Sequence, residues 1–119
     1  MLLVHEVLYF FHSLNDYGFE YEELEELTVE QLQGKWVEES SKREVNIQIP
    51  MEIKDDEKWE ALNKVFLDVS KLLSRAGIAM DDEGSGFGMG VREYHFQFQR
   101  IKDKEKYEPI INEMFEAVK

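Results

Sequence analysis

The sequence predicts an α+β domain, a small antiparallel sheet covered by helices, and three segments carry that expectation. Val45, Ile47, Ile49 and Met51 alternate with Asn46, Gln48 and Pro50, the period of a strand with one buried face. Trp59, Leu62, Val65, Phe66, Val69, Leu72 and Leu73 form one continuous helical stripe. Tyr94, Phe96 and Phe98 then share one face of a second long strand, directly after glycines at alternate positions 84, 86, 88 and 90. Helices laid on these strands bury both apolar faces at once. Residues 1–119 read as a single domain, an acidic helical part over 1–40 followed by an α+β core over 43–119 arranged β-α-β-β-α.

Each element has a local reason. Leu3, Val7, Phe10, Phe11 and Leu14 recur at helical spacing, so residues 2–15 read as an amphipathic helix, although the apolar run Leu8-Tyr9-Phe10-Phe11 also fits a buried strand. Asn15-Asp16-Tyr17-Gly18 stops that segment with turn chemistry. Over residues 20–27, Leu24 and Leu27 stand together among carboxylates. Thr28 and Gln31 match a capping box, which starts a helix from about Val29 to Glu39 that buries Val29, Leu32 and Trp36; Gly34 weakens it. Ser40-Ser41-Lys42 is a break in composition. Pro50 has no N–H to donate, which places the 45–51 strand at a sheet edge or Pro50 at a strand end. Asp55 or Asp56 caps the next helix, and Ala76-Gly77 ends it. Ile78-Ala79-Met80 is a short strand candidate, followed by a glycine loop and a strand from about Val91 to Ile101. The last helix carries Tyr107, Ile110, Ile111, Met114, Phe115 and Val118; Pro109 suits a first turn, so its start falls near Tyr107.

Composition narrows the function classes. The formal net charge is −12, and no cysteine is present. Disulfides, thiol catalysis and iron–sulfur clusters are thereby excluded. The run Met1-Leu2-Leu3-Val4 has no preceding basic residue and is broken by His5 and Glu6, so neither a signal peptide nor a membrane span is expected, and the cytoplasm is the expected location. Residues 1–40 hold ten acidic side chains against Lys35 alone. A field of that sign repels nucleic acid and anionic lipid and favours a basic partner.

The glycine run is the candidate ligand loop, comprising Asp82, Glu83, Gly84, Gly86, Gly88 and Gly90 with Arg92 and His95 beside it. It lacks the Gly-Lys-Ser/Thr of a Walker loop, and a strand rather than a helix follows it, unlike a dinucleotide turn. Asp81, Asp82 and Glu83 also oppose phosphate, by about 1 kcal/mol per close pair in water. These three are consecutive rather than alternate, so they do not match a calcium loop. His5 and His12 are two helical turns apart, roughly 10 Å, too far for one metal. No metal and no cofactor is expected. His95 could act as a general base oriented by Glu93 or Asp82, although a solvated strand face is the commoner setting for such a residue. Tyr94, Phe96 and Phe98 lack the positive groove of a base-stacking platform and are expected to lie beneath a helix.

Two functions follow as expectations. The first is a non-enzymatic interaction domain with no catalytic residue, of the inhibitor, immunity or antitoxin kind. It presents Glu20, Glu22, Glu23, Glu25, Glu26 and Glu30 to a basic protein and touches neither nucleic acid nor membrane. The alternative is a small-molecule-binding domain or minor enzyme with its site at the 84–90 loop and His95.

Overall fold

A computed structural model of the chain describes residues 4–52 and 54–119. It has the expected mixed α+β composition, with helices and one three-stranded antiparallel sheet. The chain divides into two compact units, Met1–Arg43 and Glu44–Lys119.

The first unit holds three helices, α1 (Val4–Asp16), α2 (Tyr21–Glu25) and α3 (Val29–Ser41). The apolar run at residues 8–11 is therefore helical, and residues 2 and 3 of the expected helix lie outside the described residues. Phe10, Leu14, Leu24 and Leu32 form the buried cluster, with Val7, Phe11, Leu27 and Trp36 packed against it. Gly18 ends α1 at φ +110, where Phe19 N–H reaches Leu14 O and Gly18 N–H reaches Asn15 O, a Schellman arrangement. Both halves of the capping box form: Gln31 N–H donates to Thr28 Oγ1 and Thr28 N–H to Gln31 Oε1. Val29 departs from expectation and stays exposed, because the cluster closes around Leu32 and Trp36 instead. α3 also runs past Glu39 to Ser41. Ser40 and Ser41 both donate their hydroxyls back to Val37 O, so they end the helix from within rather than interrupting it.

The second unit runs β1 (Glu44–Pro50), α4 (Asp56–Arg75), β2 (Met80–Gly88), β3 (Val91–Phe98) and α5 (Ile101–Glu116). The strand order is β1-β3-β2, with β3 antiparallel to both neighbours. β1 and β2 are thus parallel to each other, joined through α4, and split by β3. Val45, Ile47 and Ile49 of β1 and Tyr94, Phe96 and Phe98 of β3 are buried on one face under both helices. Phe66 of α4 lies 5.4 Å from the rings of Tyr94 and Phe96, and Phe115 of α5 lies 5.1 Å from Tyr94. Pro50 is the last residue of an edge strand, where its missing N–H leaves no gap in the ladder. Gly77, at φ +71, closes α4 with bonds from Gly77 N–H to Ser74 O and from Ile78 N–H to Leu73 O.

Several boundaries differ from the expected ones. The glycines at 84, 86 and 88 are not a loop: they belong to β2, whose ladder with β3 runs from Met80 to Gly88. Ile78 and Ala79 precede that strand instead of forming one. The connection shrinks to Met89 and Gly90, both at positive φ (53 and 77), as a two-residue type I′ hairpin demands. The irregularity sits earlier, between Met80 and Asp82. β3 ends at Phe98, and α5 begins at Ile101, so Pro109 lies inside it. The strong helix formers Lys102, Lys104, Glu105 and Lys106, together with burial of Tyr107, outweigh the one hydrogen bond a proline removes. Leu72 and Ile110, assigned to apolar stripes, lie at their margins and are exposed.

Candidate functional site

The acidic segment is built on α2 and its flanks. Buried Leu24 holds this short helix to the cluster, and Phe11 stacks on Tyr21 at 6.5 Å. Anchoring through those residues turns the carboxylates outward. Glu20, Glu22, Glu23, Glu25, Glu26 and Glu30 are all exposed, and among the described residues none is ion-paired. The cations of this unit are occupied elsewhere. Lys35 sits over the Phe19 ring at 4.1 Å, and Arg43 over Tyr17 at 4.1 Å. Arg43 also donates to the carboxylate and the carbonyl of Glu39, and Lys42 pairs with Glu38 and Glu39. Burial alone would raise the Glu39 carboxyl, but the hydrogen bonds from Arg43 and Lys42 outweigh it and hold the group below its ordinary 4.5.

The eight residues of the candidate ligand loop are split between the two faces of the sheet. Directly opposed partners share a face, and the ladder pairs Gly84 with His95, Gly86 with Glu93, and Asp82 with Gln97. Asp82, Gly84, Gly86, Gly88 and His95 therefore occupy the face away from α4 and α5, together with Asn46 and Gln48 of β1. Glu83 and Arg92 lie on the helix side, and Gly90 is in the turn. The irregularity at Asp81 produces this split: Met80 opposes Phe98 and joins the core, and the next paired residue, Asp82, has changed face.

On the open face, His95 Nε2 is 3.1 Å from Asp82 Oδ2, and the imidazole lies across Gly84. A Cβ at Gly84 would stand 2.6 Å from His95 Cε1, so this glycine makes room for the ring. Glu93 does not orient the histidine; it accepts from Asn46 Nδ2 at 2.7 Å. In the first unit His12 Nδ1 is 3.1 Å from Tyr21 OH, and His5 is exposed. Among the described residues no group of three His, Asp or Glu side chains gathers to hold a metal ion. No described helix is long and apolar enough to cross a membrane.

Sequence reasoning missed a polar cluster on the helix side. Arg92 Nη2 donates to Asn63 Oδ1 at 3.1 Å and Ser85 Oγ at 3.2 Å, and Nε donates to Tyr94 OH. Its guanidinium lies 4.5 Å from the Trp59 ring centre and 4.9 Å from that of Tyr94. Tyr94 OH in turn donates to Asn63 Oδ1 at 2.8 Å. Among the described residues Arg92 has no carboxylate partner. The only signal in the sequence was parity, since Arg92 has the same strand phase as Tyr94 and must find aromatic or polar cover there. Compared with protein-family models, curated proteins and solved structures, the chain matches none.

Proposed function

We propose that this chain is a non-enzymatic interaction domain whose acidic segment captures a basic protein, in the manner of an inhibitor, immunity protein or antitoxin. The observation that supports it most is the state of the six carboxylates between Glu20 and Glu30, all exposed and none neutralised by a cation among the described residues. Carboxylates that serve folding are usually paired or capped; these project field into solvent, which steers a cationic partner. Association with the cognate basic protein is expected near about 10⁸ M⁻¹s⁻¹ at low salt, falling steeply as the Debye length shrinks from about 30 Å at 0.01 M to about 10 Å at 0.1 M.

The test starts from immobilised chain at low salt, with capture from a lysate of the native source and elution by a salt step. The partner is expected to be a basic protein retained by the native chain and not by Glu22→Lys, Glu23→Lys, Glu25→Lys, Glu26→Lys combined. Equal stopped-flow association rates for the native and reversed chains would move the interface away from α2.

The small-molecule reading draws its support from the His95–Asp82 hydrogen bond, which fixes one imidazole nitrogen and leaves the other for proton transfer. Arg92 and Glu83, however, are on the opposite face of the sheet, so this reading reduces to the His95–Asp82 pair on an open surface. A ligand whose binding shifts the His95 ring resonances and is lost in His95→Gln would decide for it.

A further inference from the structure

The second unit leaves one side of its sheet unfinished. β2 is an edge strand, and pairing with β3 uses only alternate backbone groups, so the others along residues 81–88 point outward. α4 covers the inner face of β2 through Trp59 on Phe87 and Ser70 on Glu83, but the outer edge of β2 has no neighbouring strand, whereas the opposite edge, β1, is packed by α5 and ends in proline. Natural edges are guarded by proline, charge, a bulge or a covering element; β2 has its bulge and its carboxylates only at the 81–83 end, and Gly84-Ser85-Gly86-Phe87-Gly88 has none of these along its outer edge.

The charges beside that edge are self-complementary. On the helix side Glu83 accepts from Ser70 of α4 at 2.8 Å, and two residues along, Ser85 receives Arg92, a guanidinium with no carboxylate partner among the described residues. An antiparallel second β2 related by a two-fold axis through Gly84 sets Glu83 of each copy opposite Ser85 of the other. Each carboxylate then meets the partner copy's guanidinium, twice over. In the same register Asp82 opposes Gly86 and Asp81 opposes Phe87, so no carboxylate faces another. The helix layer has the same symmetry. Asn63, Leu67 and Ser70 follow one stripe of α4, and Asn63 and Ser70 are the residues that reach Arg92 and Glu83. Leu67 lies between them on that stripe and is 56% exposed, a large apolar side chain left mostly in solvent.

We propose that the edge of β2 binds a second copy of this chain, giving a six-stranded sheet of order β1-β3-β2-β2-β3-β1 with reciprocal Glu83–Arg92 ion pairs and a Leu67–Leu67 contact across the axis. The proposal stands on residues 44–119 and does not rest on the acidic reading of the first unit. Sedimentation velocity of the full chain over a concentration series, combined with amide exchange, tests it. The native chain is expected to dimerise, with protection along residues 82–86 that rises with concentration. Leu67→Glu and Glu83→Lys each weaken the dimer by at least about tenfold, as an unpaired charge at a buried interface centre does. Leu67 is exposed and Glu83 is half-buried with a hydrogen bond from Ser70, so circular dichroism checks that each variant keeps its fold. Adding Arg92→Glu to Glu83→Lys restores the opposed pair and is expected to recover dimerisation, an outcome that mere damage to the fold does not give. A chain that sediments as a monomer throughout overturns the proposal, as does a dimer indifferent to Leu67→Glu and Glu83→Lys.

Discussion

Met89 is the first of the two residues that connect β2 to β3, and it occupies φ +53 with its side chain entirely in solvent. A side chain with a Cβ costs roughly 1–2 kcal/mol in that left-handed region, because Cβ crowds the following carbonyl. Asparagine visits the region far more readily, and Asn-Gly is the favoured pair for a two-residue type I′ hairpin. The exposed methionine makes no buried contact that the exchange would lose, so Met89→Asn is expected to stabilise the second unit by about 1 kcal/mol. For a unit of this size that corresponds to a rise of about 4–8 °C in Tm. Met89→Ala is the control: it removes the same exposed side chain but keeps the crowded Cβ, and should stay within about 0.3 kcal/mol of native. Urea and thermal unfolding, followed by Trp59 fluorescence in a Trp36→Phe background, measure both. If Met89→Asn is neutral or destabilising while Met89→Ala is neutral, the turn does not have the backbone described. If both destabilise, Met89 packs on something, and its exposure is misread.

Three further outcomes are expected. Truncation of Phe66 to Ala removes a ring 5.4 Å from both Tyr94 and Phe96 and should cost about 3 kcal/mol in urea unfolding; a change within roughly 0.5 kcal/mol would take the residue out of the core. Gly84→Ala should leave the protein less stable than Gly86→Ala in thermal unfolding, because the His95 ring must move off the added methyl. Gly86→Ala gains up to about 1 kcal/mol by removing a strand glycine where a Cβ meets open space. Glu39 is held below its ordinary carboxyl range in the fold, so its contribution is complete above pH 4.5 and is lost as the pH falls through its lower folded value. Glu39→Gln should accordingly weaken the first unit at pH 7, by about 1–3 kcal/mol, and flatten its stability profile on the acid side of 4.5, measured by acid titration of the circular dichroism signal.

The parts of the fold legible in the sequence were those with uninterrupted periodicity. The stripe from Trp59 to Leu73 and the alternations at 45–51 and 94–98 encode burial directly, since each apolar residue has one face to occupy. The glycine strand was not legible for the converse reason: Gly84, Gly86 and Gly88 carry no side chain, so they show no alternation, and glycine's strand preference is low. The bulge at Asp81 hid more, because it switches which face the following residues occupy. Asp82 was one of the two partners expected for His95, but counting by twos from Met80 places it on the helix side rather than on the open side where the pair forms. Pro109 misplaced the start of α5, since a preference for first turns is only a preference and Tyr107 gains more by burial in a longer helix. The acidic segment was visible as composition, but its exposure and lack of pairing are matters of geometry.

The position of β3 between β1 and β2 also sets an order in time. β2 and β3 are joined by two residues, so their ladder closes with little loss of chain entropy, on the microsecond scale of hairpins. β1 pairs with the far side of β3 through partners such as Glu44 and Gln97, with the whole of α4 and β2 intervening in the chain. That contact repays its loop entropy only once β3 already stands as a template. Folding of the second unit should then begin at the 80–98 hairpin. Relief of the turn at Met89 would act on the folding rate, whereas a change in β1 such as Ile47→Val would act chiefly on the rate of unfolding.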